Sequence, residues 1–334
     1  INMAMQPFKM MVGDMVNEKQ KGLAYSIQSF LCNAGSLVGF LFPFIFTWIG
    51  ISNIAPQGVV PDSVIYSFYI GAAILILCVI YTTVKVKEMP PAEYAEYHGI
   101  TEEEKKEKIN MVKLLVKAPK AFLTVGLVQF FCWFAFMFMW TYTNGSVAAN
   151  VFDAPTVETV VNGASKVVLD TKSIQYQNAA DWVGVLFAVQ AIGSVLWAVC
   201  IPLFKNRKQI YSLSLVLGGI GFISTYFVHN QYVLFISFLL IGCAWAAMLA
   251  LPFTILTNAL SGGHMGTYLG LFNGTICIPQ IVAATLGGSI LALFTPKGML
   301  PPEINMLVMA GVMLIIGAVC VYLIKETKGE QAKA

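Results

Sequence analysis

Charge is what this sequence has least of. Lys, Arg, Asp and Glu together make up 11% of its 334 residues, against 57% hydrophobic side chains and a mean hydropathy of +0.74. A chain so poor in charge cannot clothe a water-facing surface, which excludes an ordinary soluble enzyme or binding module. Catalytic constellations are missing too. No His and carboxylate pair, Ser-Lys dyad or metal-ligand spacing falls at membrane depth, so an intramembrane enzyme has no candidate group and neither a metal nor an organic cofactor is expected. Outer loops contain no cysteine: Cys32, Cys78, Cys132, Cys200, Cys243, Cys277 and Cys320 fall one per apolar run. Small apolar fillers distribute in this way, and a disulfide framework does not. Lys and Arg are absent from the middle of every complete run, which argues against an anionic solute.

What the chain has instead is repeated apolar runs of 18 to 27 residues. A bilayer core of roughly 30 Å takes about 20 helical residues to cross, so each such run counts as one span. Eight are complete: Tyr25 to Ile49, Tyr66 to Lys85, Ala121 to Tyr142, Trp182 to Phe204, Tyr211 to Val228, Tyr232 to Leu256, Tyr268 to Phe294, and Met306 to Ile324. A ninth, Ile1 to Val12, is short and opens the chain on Ile, which reads as a sequence whose true N-terminus is missing. The fold class expected is an all-α integral membrane protein.

Basic residues set the orientation. Segments on one side of the spans, with Lys85 at their border, hold 16 Lys and Arg; the opposite loops hold three, Lys166, Lys172 and Lys297. The positive-inside rule makes the richer side, which includes the C-terminal tail, cytoplasmic. The net charge of +3 therefore reports topology, and nothing supports a nucleic-acid partner. A multi-pass protein of a cell membrane, a bacterial inner membrane by preference, is expected.

One cytoplasmic connection, Val86 to Lys120, stands apart. Pro90 and Pro91 stop the preceding helix, and Thr101 with Glu104 reads as a capping box for a short helix whose Ile109, Val112 and Val116 share a stripe. A solvated charge run is the competing reading of its first half. Six complete spans follow this linker, and two and a fraction precede it. A carrier built from two six-helix halves would look like this if its first three and a half helices were absent, so the partial span counts as helix 4 and the complete ones as helices 5 to 12. The expected division is 1–86 for the end of the first bundle, 87–120 for the linker, 121–325 for the second bundle with an outer insertion at 144–181, and 326–334 for the tail. "QPFKMMVGDMVNEKQKGLAYSIQSFLCNAG" and "LPFTILTNALSGGHMGTYLGLFNGTICIPQ" match weakly, Pro7-Phe8 against Pro252-Phe253, as parallel repeats six helices apart would.

Polar side chains inside such spans cost on the order of a few kcal/mol each when unpartnered, so their helical phase is informative. Gln129, Trp133, Trp140 and Asn144 stay within a ~60° sector at about 100° per residue. Ser26, Ser29, Asn33 and Ser36 share another face, as do Gln190, Ser194 and Trp197. Asn273 and Gln280 lie a heptad apart, about 20° from each other. Two readings stand beside one another: stripes of small polar residues pack helices together, and amides interleaved with indoles bind a neutral polyhydroxylated solute. In "FNGTICIPQI", Pro279 disrupts the turn before it and Gly274 admits a neighbouring backbone, so this helix either faces the translocation path or carries a structural kink. Among ionisable groups, Asp181 reads as an N-cap, His229 as a loop residue and His264 as solvated in a Gly-rich turn. Lys9 and Asp14 read as an ion pair anchoring a cytoplasmic gate rather than as proton carriers.

"MQPFKMMVGDM", "KGLAYSIQSFLCNAGSLVG" and above all "AWAAMLALPFTILTNALSGGHMGTYLGLFNGTICIPQIVA" resemble the sucrose-type sugar:proton symporters of the major facilitator superfamily, within the glycoside-pentoside-hexuronide cation symporters. The resemblance implies inward transport of a disaccharide, driven by protons through rocking of two six-helix bundles, by a protein acting as a monomer. Lys9 departs from it, since the family usually has Arg there, which keeps the charge and loses the fork geometry. The long outer insertion looks like a bacterial version, with maltose or related glucosides as substrates, and the family's coupling acid would lie just before Ile1. The substrate-facing residues expected are Gln129, Trp133, Trp140, Asn144, Gln190, Trp197, Asn273, Gln280 and Asn33. Na⁺ as coupling ion, and a transport-incompetent sensor or scaffold of the same fold, stand as alternatives.

Overall fold

The structure, a computed structural model, describes residues 8, 11–12, 15–16, 20–51, 60, 62–87, 90, 93, 111–116, 118–161, 164–259, 265–296 and 298–324. Among the described residues, ten helices and one hairpin follow one another: α1 (Lys21–Trp48), α2 (Asp62–Lys85), α3 (Met111–Val116), α4 (Lys120–Asn150), β1 (Thr156–Val161), β2 (Ala164–Leu169), α5 (Ile174–Cys200), α6 (Arg207–Ser224), α7 (Leu234–Ala259), α8 (Met265–Phe272), α9 (Gly274–Phe294) and α10 (Ile304–Cys320). Short 3₁₀ turns, Ile201–Leu203 and Val321–Leu323, close α5 and α10. Six helical stretches, α2, α4, α5, α7, α8 with α9, and α10, are long and apolar enough to cross a bilayer. α1 and α6 match the two remaining predicted spans.

Local chemistry sets several of these ends. α1 stops at Gly50, whose φ of +98° is open to glycine and strained for most other residues, and the N–H of Ile51 reaches back to the Phe46 carbonyl at 2.9 Å to close the last turn. Asn206 caps α6, its side-chain oxygen accepting from the N–H groups of Lys208 and Gln209.

α4 is the hub. It packs on α10, α9, α7 and α5; α6 bridges α7 and α10, and α1 lies along α5 and α7. Lipid tails are as apolar as Leu, so hydrophobicity alone does not hold such helices together and close backbone approach has to. Two crossings show how. Where α5 meets α7, a Cβ at Gly193 would stand 2.6 Å from the Leu239 carbonyl oxygen, and one at Gly242 would strike the Gln190 carbonyl. Where α6 meets α10, Gly219 and Gly311 face each other's carbonyl oxygens, a Cβ at either falling 2.9 or 2.7 Å from the oxygen opposite.

Three expectations change. α4 continues two turns beyond the predicted end at Tyr142, because residues 143–150 stay buried against neighbouring helices and the Thr143 hydroxyl folds back on the Met139 carbonyl at 2.6 Å. Asp181 is not an N-cap. α5 begins at Ile174, where the Ser173 hydroxyl accepts from the Tyr176 N–H at 3.2 Å, leaving Asp181 exposed two turns inside the helix. The interruption expected at Pro279 sits at Asn273, and α9 runs through the proline. Asn273 falls between α8 and α9, and the Thr275 hydroxyl donates to the Phe272 carbonyl at 2.7 Å there.

The insertion between α4 and α5 also holds a feature the spans did not announce. β1 and β2 pair antiparallel, Thr156 opposite Leu169 and Val161 opposite Ala164, and β2 rests on α4. The predicted linker helix around Thr101, Lys9 with Asp14, Pro7, His264 and the tail lie outside the described residues. Of the linker, α3 is described, and the Tyr268 hydroxyl reaches its Leu114 carbonyl at 3.4 Å. His229 lies in an exposed turn.

Candidate functional site

α4 and α7 cross with their aromatic residues facing. Trp133 and Trp245 meet edge to face with ring centroids 5.8 Å apart, Trp140 and Trp245 likewise at 5.7 Å, and Trp133 lies 6.4 Å from Trp140, which follows on the same face of α4. Phe136 backs two of the indoles, 4.9 Å from Trp245 and 6.4 Å from Trp140, and lies 5.8 Å from Phe222 of α6. Burial grades across this cluster. Trp133 is enclosed, Trp245 half-buried and Trp140 42% exposed. The Trp133 Nε1–H is buried with no acceptor, an arrangement that costs free energy in the resting protein and is relieved by a ligand that brings an acceptor.

The other expected residues divide. Gln129 is 1% exposed, and its Nε2 donates to the Met248 carbonyl at 3.0 Å and to the Tyr211 hydroxyl at 3.4 Å, a tie binding α4 to α7 and α6. The Trp197 indole N–H is spent on the Ser214 hydroxyl of α6 at 2.8 Å. Asn144 donates to the Tyr176 hydroxyl at 2.9 Å, while its Oδ1 is buried without a donor. Asn33, fully buried on α1, donates to the Ser29 carbonyl at 2.7 Å and likewise keeps an unpartnered Oδ1. Gln190 is buried at the α5/α7 crossing, Asn273 occupies the α8/α9 break, and Gln280 is half-buried on α9. The structure therefore gathers Trp133 and Trp140 and adds Trp245. Among the described residues, no ring contact or hydrogen bond links these indoles to Asn33, Gln190 or Gln280.

Trp245 was missed because it stands alone in an apolar run, "CAWAAMLA", with no polar partner at helical spacing to mark its face. The signal available was the indole itself, placed mid-span rather than at a membrane interface.

The sequence matches the profile of the Major Facilitator Superfamily twice, over residues 2–168 and 147–334. The chain belongs to the major facilitator superfamily. A search of curated proteins returns no match. Among solved structures, the chain is similar to a point variant of the E. coli fucose:proton symporter FucP, at 13% identity and a TM-score of 0.58, covering 92% of this chain and 71% of that one. At that identity the likeness speaks for the fold alone. Membership of the major facilitator superfamily makes this a multi-pass membrane protein that moves solutes and not an enzyme. Within the superfamily's fold, α4 and its neighbours are a packed helical bundle whose α4/α7 seam carries the indole cluster.

Proposed function

We propose that this chain belongs to a secondary active transporter that takes up a neutral sugar, a disaccharide such as maltose or sucrose, together with protons by alternating access. The carrying observation is the indole wall of Trp133, Trp140 and Trp245 with one unspent N–H. Indole faces cover the apolar C–H side of a pyranose ring, and amides with free oxygens accept its hydroxyls. In this reading Trp140 and Trp245 stack on the sugar, and the Trp133 Nε1–H, Asn144 Oδ1 and Asn33 Oδ1 supply hydrogen bonds. Asn273, Gln280 and Gln190 line the path further along. Gln129 and Trp197 hold helices together. Lys9 and Asp14 close the cytoplasmic end. The absence of Lys and Arg at span depth supports a neutral cargo, and the fold neighbour is itself a fucose:proton symporter. The protein works as a monomer in a cell membrane with its C-terminus cytoplasmic, and needs no cofactor beyond its coupling ion.

Uptake of radiolabelled maltose, sucrose, trehalose and monosaccharides by the complete protein in proteoliposomes tests this, with proton flux recorded alongside. Disaccharide uptake that acidifies the lumen is expected; Trp133→Ala should abolish it and Trp245→Ala should weaken it, each at unchanged protein level. Uptake driven by Na⁺ alone would replace the coupling ion. Sugar binding without transport would favour a sensor, and wild-type uptake in both Trp variants would remove the indoles from the site.

A further inference from the structure

Glu303 escaped the sequence reading, which searched for acids within spans. It immediately precedes α10, at the end of the bundle that carries the β1–β2 hairpin. There its carboxylate sits directly on Gly145 of α4, where any Cβ would overlap it. The seat exists because position 145 is glycine. The side chain is half-buried, and no described residue donates a hydrogen bond or an ion pair to it. Next along α4, the Ser146 hydroxyl is buried without a partner, and Ser146 lines a void of about 10 Å³ together with Ile304 and Leu307 of α10.

An ionised carboxylate has acceptors only, so a desolvated one that meets no donor is held at a cost of several kcal/mol, while the neutral acid is tolerated. Burial accordingly pushes Glu303 up from its ordinary 4.5 to about 7. The amides at the start of α10 favour the anion, which works against burial. From α4 the titratable group facing it is Tyr142, which feels its charge. On β2, Lys166 lines a cleft of about 370 Å³ with Pro301, two residues earlier in the loop, without forming an ion pair with Glu303. Tyr176 of α5 is engaged with Asn144. The only titratable side chains of α7 and α9 are the thiols of Cys243 and Cys277; Arg207, Lys208 and Tyr211 of α6 lie at that helix's opposite end, and Tyr226, just after α6, lines a pocket with Asn305.

We propose that Glu303 is a proton-binding site of this carrier, taking H⁺ from water at the hairpin end and holding α4 against α10 while it is neutral. The proton adds to a carboxylate oxygen, and it returns to water when the α4/α10 contact opens and the acid is rehydrated. This site stands apart from the identity of the solute, so its failure would leave the sugar reading untouched.

Infrared titration of the purified complete protein in nanodiscs, without sugar, tests it. Wild type should lose a protonated-carboxyl band with a midpoint near about 7. Glu303→Gln should lack that band. Gly145→Ala, which crowds the acid off its seat, should move the midpoint down by at least about one pH unit toward ordinary glutamate. Labelling of Ser146→Cys, corrected for thiol ionisation with a reference cysteine, should quicken severalfold above the midpoint and lose that step in the Glu303→Gln background. Coincident spectra for wild type and Glu303→Gln overturn the proposal. Should Glu303→Gln fail to fold, an unmoved midpoint in Gly145→Ala overturns it equally.

Discussion

Trp133 of α4 and Trp245 of α7 meet edge to face across the helix crossing, 5.8 Å between ring centroids. Pairs of this kind contribute about 0.5–1.5 kcal/mol beyond the area they bury, and Trp245 makes such contacts with Trp133, Trp140 and Phe136. Trp245→Ala should raise the KM for sugar about tenfold, equivalent to about 1.4 kcal/mol, with maximal uptake reduced less. Trp245→Phe, which keeps a ring, should recover most of that loss. Initial rates over a range of sugar concentrations make the comparison.

Gln129 should behave differently from the indoles. Its amide spans two hydrogen bonds to α7 and α6, and Gln129→Leu strands the Met248 carbonyl in the interior at a cost of about 1–3 kcal/mol. Thermal unfolding in detergent should show the loss. The KM of the protein that remains folded should be close to wild type, and a large KM change would restore Gln129 to the solute path.

Gln129 and Trp133 sit on one stripe of α4, and the reason they part company shows what was legible in advance. The spans follow from the length of the apolar runs, and the α4 polar face from periodicity, which reports the direction a side chain leaves its own helix. What waits across the gap belongs to another part of the chain. Gln129 points at a carbonyl that α7 happens to leave open, and Trp133 points at an indole 112 residues later, numbers 133 and 245. The hairpin is legible in "TVETVVNGASKVVL", two β-branched-rich runs either side of an Asn-Gly turn signal. Glu303 was illegible because an acid in a loop looks solvated until Gly145 is seen beneath it.

The glycine crossings predict where substitution is not tolerated. Gly242→Leu forces α7 away from the Gln190 carbonyl of α5, and Gly39→Leu, on α1 with open space around it, does not. The first variant should lose its monodisperse peak in size-exclusion chromatography, while the second keeps it. Gly311→Leu at the α6/α10 crossing should fail alongside Gly242→Leu.

Glu303 gives stability a pH dependence with a definite sign. Its folded pKa lies above the unfolded value, so the folded protein holds more protons between about 4.5 and about 7. Stability should fall as pH rises through that window and level off above it. Glu303→Gln should flatten the trend, being more stable than wild type at pH above about 7 and little different near the lower edge. Melting temperatures across a buffer series read this directly.

The strand pair β1–β2 hangs between α4 and α5, and its second strand roofs a cleft whose far wall is the α9–α10 loop. The hairpin thus bridges successive helices of the same bundle. A nanobody raised against the roof and wall together would clip this mouth shut, giving a conformational lock, a purification grip and a fiducial for particle alignment.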